Sequence, residues 1–391
     1  MKITIIFDDV LIADPALHDL FGVVHFGALM FQRRKRCDAM AEIARAANAD
    51  FLHLQSPKDR ETLIDELLSG NLEDGLFLHM PAHLAATGAS EHLTTALKQI
   101  AYTPSPLYLP ASTQSRQGWS LIPGSRLRDL MQKAMTDPLD EVFESFGHDL
   151  AEVRNRIKLV DLRDERTLLN YLSGQMDARH FNSVLRDDYT ITKRSTDRVK
   201  LKQEFDFHQA VPPQMQMFLV PPFDFEDDGE TASYRMERLS IPDMAMQWVH
   251  GAFQAHEFDR FLQHILYFMQ NRPEKSVDQD TAVAVQDALY LGKVRTRIAD
   301  LKALEPYADL EPYFERAFGG IDALVERYEA LFAKMRSQLP ASRLVIGHGD
   351  PCFSNILYSK TNQYLKLIDP RGASSEADLY TDPIYDIAKL S

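Results

Sequence analysis

Three polar side chains near the C-terminus have the types and the spacing that phosphoryl transfer requires. Asp350 and Asn355 share one loop, and Asp369 follows Asn355 after fourteen residues. In phosphoryl transfer, one aspartate accepts the proton of the attacking hydroxyl, while an asparagine oxygen and a second aspartate hold Mg²⁺ against the phosphates. Magnesium prefers such hard oxygen ligands. The set is therefore typical of an ATP-dependent phosphotransferase.

Short apolar runs flank these residues and predict the elements that position them. The runs 344–346, 356–358 and 364–368 have the length and the β-branched content of buried strands. The loop and one strand end would then deliver the three side chains. Glycine, aspartate and proline are also ordinary turn residues, so a purely structural turn is the alternative. That alternative explains each residue separately but not their combination.

The loop sequence, Gly-His-Gly-Asp-Pro-Cys-Phe-Ser-Asn-Ile-Leu over residues 347–357, is the most specific string in the chain. Together with Ile-Asp-Pro-Arg-Gly at 368–372, it resembles the catalytic-loop motif of the aminoglycoside phosphotransferase and choline kinase superfamily. The detailed strings are similar to a bacterial subgroup associated with capsular or surface-polysaccharide biosynthesis. The resemblance covers roughly residues 180–391 and implies a protein-kinase-like fold.

The resemblance also implies a role for each matching residue. It assigns the catalytic base to Asp350, metal ligation to Asn355 and Asp369, an orienting role to His348 and support of the loop to Asp386. The implied cofactors are ATP and Mg²⁺. The implied partner is a small-molecule acceptor, a sugar or polyol whose hydroxyl receives the γ-phosphate.

A second part of the site is predicted upstream, because a kinase small lobe needs a strand lysine that is oriented by a helix glutamate. Lys193 ends a predicted strand, and Glu204 lies eleven residues later in the predicted helix 197–210. Lys200 and Lys202 are competing lysines, but they belong to the helix. The alternative is that these charged residues are simply exposed, which is their usual state.

The adenine pocket is expected where the small and large lobes join. The predicted strand 234–239 precedes a long helical region, so its end is the natural hinge. Backbone groups of Glu237 and Leu239 would bind the adenine edge, and Met236 would line the pocket. One feature departs from the kinase pattern: residues 177–188, where a phosphate-covering loop is expected, lack Gly-x-Gly-x-x-Gly.

The pattern of elements predicts an α/β N-terminal domain followed by an α+β, two-lobed, protein-kinase-like phosphotransferase domain. The expected domains are 1–140, a parallel α/β domain; 141–240, a linker helix with the small lobe; and 241–391, the large lobe. Other predicted elements are strands at 3–7, 51–54, 76–80, 181–185, 189–193 and 217–220, and helices at 35–48, 91–100, 138–172 and through 242–339. Because only 22 residues follow Asp369, part of the large lobe is expected to be missing.

The N-terminal domain carries weaker signals. The resemblance implies that a nucleotidyltransferase-like domain can precede the kinase domain. No glycine follows the first strand before Gly22, however, so nucleotidyl transfer is not supported. For Asp8 and Asp9, the sequence favours a solvated strand end over a metal site. The basic run 33–36 is typical of the solvated start of a helix. A degenerate binding or assembly module is expected.

Composition limits the remaining possibilities. A formal net charge of −14 argues against nucleic acid as a partner, and the two cysteines are too far apart in sequence for a metal cluster. The apolar run 3–7 is too short for a signal peptide or a membrane span. We therefore expect a cytoplasmic protein without a membrane partner, and its oligomeric state stays open. The competing function is a nucleotide-binding scaffold without turnover.

Overall fold

The structure is a computed structural model that describes residues 3–31, 33–69, 75–87, 90–100, 102, 107–110, 118–135, 142, 151–152, 157–173, 182–187, 189–339, 342–373 and 375–390. These residues form a mixed α/β structure. The chain divides into two units. Unit 1 comprises Met1–Asp177 and Ala245–Ala255, and unit 2 comprises Ala178–Met244 and His256–Ser391.

Unit 1 is built from short strands that alternate with helices. Its strands are β1 (Ile3–Asp8), β2 (Met30–Phe31), β3 (Arg34–Lys35), β4 (Asp50–Leu54), β5 (Leu76–Pro81), β6 (Leu84–Thr87), β7 (Leu107–Pro110), β8 (Gly118–Pro123), β9 (Ala151–Glu152) and β10 (Lys158–Asp161). Its helices are α1 (Pro15–Phe21), α2 (Arg36–Ala46), α3 (Pro57–Leu68), α4 (Ser90–Ile100), α5 (Gly124–Lys133) and α6 (Glu165–Ser173), with a 3₁₀ turn at Phe26–Ala28.

A six-stranded sheet in the order β4-β1-β5-β8-β7-β9 forms the centre of unit 1. Successive side chains of a strand point to opposite faces. Ile5 and Phe7 of β1 accordingly enter one hydrophobic cluster, while Ile6 enters another on the opposite face. The helices α2 and α3 connect parallel neighbours, so β1 is buried on both sides. The carboxyl end of β1 therefore lies at the edge of the sheet between β4 and β5.

Two predictions for unit 1 were wrong in part. The sheet is mixed rather than parallel: β4-β1-β5 and β7-β9 pair in parallel, but β8 runs antiparallel to both β5 and β7. In its described part, the predicted helix 138–172 contains the strands β9 and β10, of which β10 pairs antiparallel with β6, and it is helical at Val142 and from Glu165 onward. Long-range pairing of this kind overrides local helical preference. Residues 138–141, 143–150 and 153–156 of that prediction lie outside the described residues.

The basic run 33–36 is not a solvated helix start. Arg34 and Lys35 form the strand β3, and the Arg36 side chain is buried. Its guanidinium donates hydrogen bonds to the carbonyl oxygens of Phe26 at 3.1 Å and Ala82 at 2.6 Å. Arg36 therefore joins two loops of unit 1 from within the core.

Unit 2 contains the remaining elements. Its strands are β11 (Asn182–Arg186), β12 (Thr190–Ser195), β13 (Pro222–Asp227), β14 (Ala232–Glu237), β15 (Glu274–Ser276), β16 (Arg343–Ile346), β17 (Ile356–Ser359), β18 (Tyr364–Leu367) and β19 (Tyr380–Thr381). The helices are α7 (Arg198–Ala210), α8 (Pro213–Gln216), α9 (Met244–Val249, mostly in the returning segment of unit 1), α10 (Ala255–Gln270), α11 (Gln279–Gln286), α12 (Lys293–Lys302), α13 (Tyr307–Phe318), α14 (Ile321–Met335) and α15 (Pro383–Leu390). Tighter turns occupy Arg336–Gln338, Phe353–Asn355 and Ala377–Leu379, and a π-helical turn spans Asp287–Gly292.

An antiparallel sheet in the order β11-β12-β14-β13 packs against α7. This helix corresponds to the helix that the sequence predicted at 197–210. Asp197 caps α7, with its side chain accepting from the backbone of Lys200. The predicted strand 217–220 was wrong, because this stretch follows the short helix α8 and only Leu219 forms an isolated bridge. The region 242–339 is helical except for β15, which pairs with β16.

No helix in the described part of the chain is long and apolar enough to cross a membrane.

Candidate active site

The loop between β16 and β17 is held by the buried carboxylate of Asp386 on α15. Asp386 Oδ2 accepts a 2.8 Å hydrogen bond from the backbone N–H of His348, and Oδ1 accepts a 2.9 Å bond from that of Gly349. The Arg272 guanidinium, which is also buried, donates to Oδ2 at 2.8 Å. Removing one partner from a buried ion pair is strongly destabilising, so this pair fixes the backbone of the loop.

His348 is fully buried beneath the loop. Burial lowers the pKa of its imidazole, and the nearby carboxylates offset this only in part. Its Nδ1 lies 3.4 Å from the backbone nitrogen of Asp350, and its carbonyl oxygen accepts a 2.8 Å bond from Arg371. Gly349 has a φ of +87°, and a Cβ there would lie 2.5 Å from the Cβ of Arg371. The loop therefore requires glycine at this position.

Asp350 and Asn355 are tied to each other within the loop. The Asn355 side-chain Nδ2 donates a 2.9 Å hydrogen bond to the carbonyl oxygen of Asp350. This bond orients the amide and leaves its Oδ1 without a donor among the described residues. The Asp350 carboxylate is 36% exposed. Both side chains thus keep oxygen atoms that a bound molecule could use.

Asp369 stands just beyond β18 in an unusual backbone conformation. Its φ is 58°, in the left-handed region that residues other than glycine rarely adopt. Its Oδ1 lies 3.2 Å from Lys193 Nζ, and its side chain is 41% exposed. A Cβ on Gly372, three residues later, would lie 2.5 Å from the backbone carbon of Gln203 on α7. Gly372 therefore allows the segment after Asp369 to lie directly against α7.

Lys193 on β12 and Glu204 on α7 form a buried ion pair with a separation of 2.5 Å. Burial alone would lower the pKa of Lys193, but the carboxylates of Asp369 and Glu204 outweigh it and raise the pKa. Burial raises the pKa of Glu204, and the Lys193 ammonium offsets this only partly. Lys193 therefore stays protonated at neutral pH.

The predicted residues from three separate stretches of sequence meet in this region. Lys193 contacts both Glu204 and Asp369, although Asp369 is 176 residues away. The Ile368 N–H donates a 3.0 Å bond to the carbonyl oxygen of Asn355, which joins the Asp369 segment to the loop. A continuous set of contacts thus runs from Lys193 to the loop and on to Asp386.

A small cleft that is open to solvent lies beside Asp369. Its lining includes Glu204, Leu219, Val220, Tyr234, Met236 and Leu367. Met236 lines this cleft, and its place in an adenine pocket stays a prediction. The side chain of Glu237 is exposed at the end of β14, and Leu239 packs at the margin of the cluster formed around Tyr234. The expected backbone contacts of Glu237 and Leu239 with adenine stay a prediction.

Two residues of the site were missed by the sequence reasoning. Lys389 Nζ lies 3.1 Å from Asp350 Oδ1, and this contact raises the pKa of Lys389. Arg272 holds Asp386, as described above. Arg272 has no local signal, because its partner lies 114 residues away. Lys389 could have been found from its position three residues after Asp386 on the same short helix.

Asp8 and Asp9 in unit 1 are not a solvated strand end, because both are buried. Asp8 pairs with Arg60 at 2.9 Å and His79 at 3.1 Å. Asp9 accepts from the backbone of Gly27 at 2.9 Å, with His53 Nε2 at 3.4 Å. Burial alone would raise the pKa of Asp8, but hydrogen bonds and electrostatic attraction from His79 and Arg60 lower it to about 2.

Among the residues that the structure describes, no group of three or more His, Cys, Asp or Glu side chains is arranged to hold a metal ion. This leaves the Asn355 and Asp369 pair, one amide and one carboxylate, as the predicted metal ligands.

Neither the models of known protein families nor the curated proteins include a match to this sequence.

Proposed function

We propose that unit 2 is an ATP- and Mg²⁺-dependent kinase that transfers the γ-phosphate to a hydroxyl of a small molecule, a sugar or polyol used in surface-polysaccharide synthesis. One observation carries the proposal: Lys193 contacts Glu204 and Asp369 together, beside a loop that presents Asp350 and Asn355. A lysine held by a helix glutamate, facing an aspartate and an asparagine, is the arrangement that phosphoryl transfer uses. The polysaccharide context rests on the resemblance of the loop strings alone.

The nucleotide would occupy the cleft beside Asp369. Met236 and Leu367 offer apolar surface for a purine, and Lys193, which contacts Glu204 and Asp369 of the cleft lining, would face the phosphates. Because Lys193 is protonated and already oriented by Glu204, it can attract the phosphates without losing its position. The proposal includes a two-lobed, kinase-like architecture for unit 2. It also includes binding of the adenine edge by backbone groups of Glu237 and Leu239.

The donor set fits magnesium. Mg²⁺ usually takes one or two protein carboxylates or amides and completes its shell with phosphate oxygens and water. Asn355 Oδ1 has no donor among the described residues, and Asp369 keeps a second oxygen beyond the one facing Lys193. A bound Mg²⁺ would neutralise phosphate charge at this point. The absence of a three-acid cluster is expected for such a site, because the phosphates supply the missing ligands.

The residues of the loop would carry the chemistry. The acceptor oxygen attacks the γ-phosphorus, the bond from that phosphorus to the β,γ-bridging oxygen breaks, and ADP leaves. The Asp350 carboxylate takes the proton of the acceptor hydroxyl. Asp386 and Arg272 hold the loop rigidly, so that this carboxylate is positioned before the substrate arrives.

The test is the Asp350→Asn variant, assayed for transfer of labelled γ-phosphate and for Mg·ATP binding. Removal of a general base costs about 10²–10⁴-fold in rate. We expect transfer to fall by that factor while ATP affinity stays within a few-fold. Asp309→Asn, an exposed acid on α13, is the control and should behave as the unchanged protein. Full turnover by Asp350→Asn would exclude Asp350 as the base.

A second candidate function is nucleotide binding without turnover, in a scaffold. The observation that favours it is the ion pair between Lys389 and Asp350, which engages the candidate base. Such a protein would bind Mg·ATP in calorimetry yet transfer no phosphate to any member of a broad panel of sugars, amino alcohols and aminoglycosides. Transfer to any member of the panel, lost in Asp350→Asn, would exclude the scaffold.

A further inference from the structure

One face of α15 runs from the candidate base to the helical region of unit 2. Tyr385 and Lys389 are four residues apart on this helix and so share a face. Asp386, between them, anchors the helix to the loop through His348 and Gly349. The face is therefore fixed relative to Asp350, and Lys389 reaches the Asp350 carboxylate at 3.1 Å.

A second lysine lies at the other end of this face. Lys293 Nζ donates a 2.5 Å hydrogen bond to the Tyr385 hydroxyl and lies 5.1 Å from the centre of its ring. Lys293 begins α12, directly after the π-helical turn Asp287–Gly292. Turns of this kind are rare and occur frequently at functional sites. The order along the face is thus Asp350, Lys389, Tyr385, Lys293.

The π-helical turn is held in place from both sides. The Tyr290 hydroxyl donates to Asp382 at 3.1 Å, and the Tyr328 hydroxyl donates to the carbonyl oxygen of Tyr290 at 2.7 Å. Gln286 donates a further 2.8 Å bond to Asp382, which is fully buried. These hydrogen bonds fix the backbone that leads into Lys293. Its position is therefore determined by the fold, unlike that of a free surface lysine.

This face carries two lysines, Lys389 and Lys293, in a chain whose formal net charge is −14. No carboxylate in the described residues forms an ion pair with Lys293, and the acid that pairs with Lys389 is the candidate base itself. The two buried acids nearby in sequence, Asp382 and Asp386, already accept hydrogen bonds from Gln286, Tyr290 and Arg272. Among the described residues, Lys293 therefore forms a hydrogen bond with the Tyr385 hydroxyl but no ion pair with a carboxylate.

We infer that the acceptor is an anionic hydroxyl compound, a sugar or polyol bearing a carboxylate or phosphate group, and that Lys293 binds this group while Lys389 stands beside the reacting hydroxyl. This inference rests on the proposed function. Tyr385, which is buried, would hold the Lys293 ammonium in position through its hydroxyl. Amino sugars and amino alcohols would place a third positive charge beside the two lysines, and like charges at short range repel.

The test compares matched acceptors in the full chain at constant ionic strength, because salt screens such contacts. Glucose, galactose and mannose are each supplied in neutral, amino, uronic-acid and 6-phosphate forms. A charge-assisted hydrogen bond is worth about tenfold or more in affinity. We expect kcat/KM for an anionic form to exceed that of its neutral parent by about this factor, and the amino form to be the poorest. The uronic-acid and phosphate arms show which anion Lys293 prefers.

The variant Lys293→Met should raise KM for the anionic form about tenfold and leave kcat/KM for the neutral parent within twofold. Arg297→Met removes the same charge from the same helix, where the side chain is 75% exposed, and should change neither. The assignment is overturned if a neutral or amino form is the best substrate, or if Lys293→Met affects neutral and anionic forms alike. If Mg·ATP binds and no acceptor of any charge is phosphorylated, the proposed function fails and this assignment falls with it.

Discussion

Each unit of this protein places aspartates at the end of a buried strand, but only unit 2 leaves them accessible. Asp8 and Asp9 have no exposed side-chain surface, whereas Asp350 and Asp369 are 36% and 41% exposed. In unit 1, Asp8 is held between Arg60 and His79. In unit 2, Asp369 has one oxygen facing Lys193 and another available.

The comparison shows that an aspartate after a strand does not by itself indicate a site. What distinguishes the two regions is whether the protein's own donors use up the carboxylate oxygens. Saturated and buried carboxylates stabilise a fold, while a partly exposed carboxylate beside an oriented cation can bind a ligand. The same kind of substitution should therefore affect stability in unit 1 and turnover in unit 2.

Among the substitutions that compare the two units, the largest effect is expected for Lys193→Met. This change removes the cation that faces Asp369, and the loss of one preorganised electrostatic contact typically costs about 10²–10³-fold in kcat. Steady-state kinetics with the preferred acceptor would measure it. Lys200→Met, on the helix α7, is the matched control and should retain turnover. Equal losses in both variants would mean that Lys193 has no special role.

Arg60→Met makes the equivalent change in unit 1 and should lower the free energy of unfolding by roughly 3 kcal/mol, because Asp8 then loses its arginine while staying buried. Both tryptophans of the chain, Trp119 and Trp248, belong to unit 1, so their fluorescence reports its unfolding. Turnover below the transition should be unchanged.

Ser56→Ala provides a calibration for that result. Ser56 forms a capping box with Asp59 at the start of α3, the helix that also carries Arg60. Its loss should cost about 1 kcal/mol without touching the acid cluster. If Arg60→Met destabilises unit 1 no more than Ser56→Ala does, the Asp8 ion pair is not a principal support of unit 1.

A smaller, pH-dependent effect follows from the pKa of Asp8. Its folded-state pKa, about 2, lies below the ordinary value of 3.8, so its ionised form stabilises the folded state above pH 4. That contribution, about 2 kcal/mol, is lost as the pH falls from 4 toward 2. Unfolding followed by tryptophan fluorescence should show a steeper loss of stability in this range for the unchanged protein than for Asp8→Asn. Parallel curves would contradict the depressed pKa.

Local patterns predicted the parts of the site that the chain brings together over short distances. The strands at Leu344, Ile356 and Tyr364 appear where apolar runs indicated them, and Asp197 begins the helix that carries Glu204. The left-handed conformation of Asp369 was not predicted, because its sequence neighbours give no signal for it.

Contacts between distant segments that no motif indicates could not be predicted from the sequence. Arg60 and His79, the partners of Asp8, lie 52 and 71 residues away, and no periodicity selects them from other charged residues. Arg36 was wrongly expected in solvent for the same reason: its carbonyl partners are defined only after the sheet has formed. Which distant residues form hydrogen bonds or ion pairs depends on how the chain packs. Packing therefore determines which aspartates are buried and which stay exposed.

The most direct test of the account is calorimetric titration of ATP, with and without Mg²⁺, into the unchanged protein, Asp369→Asn and Asp9→Asn. We predict Mg²⁺-dependent binding that Asp369→Asn weakens by about tenfold or more and that Asp9→Asn leaves unchanged. ATP affinity that is absent, indifferent to Mg²⁺, or equal in Asp369→Asn and the unchanged protein would contradict the claim that Asp369 holds the nucleotide's metal.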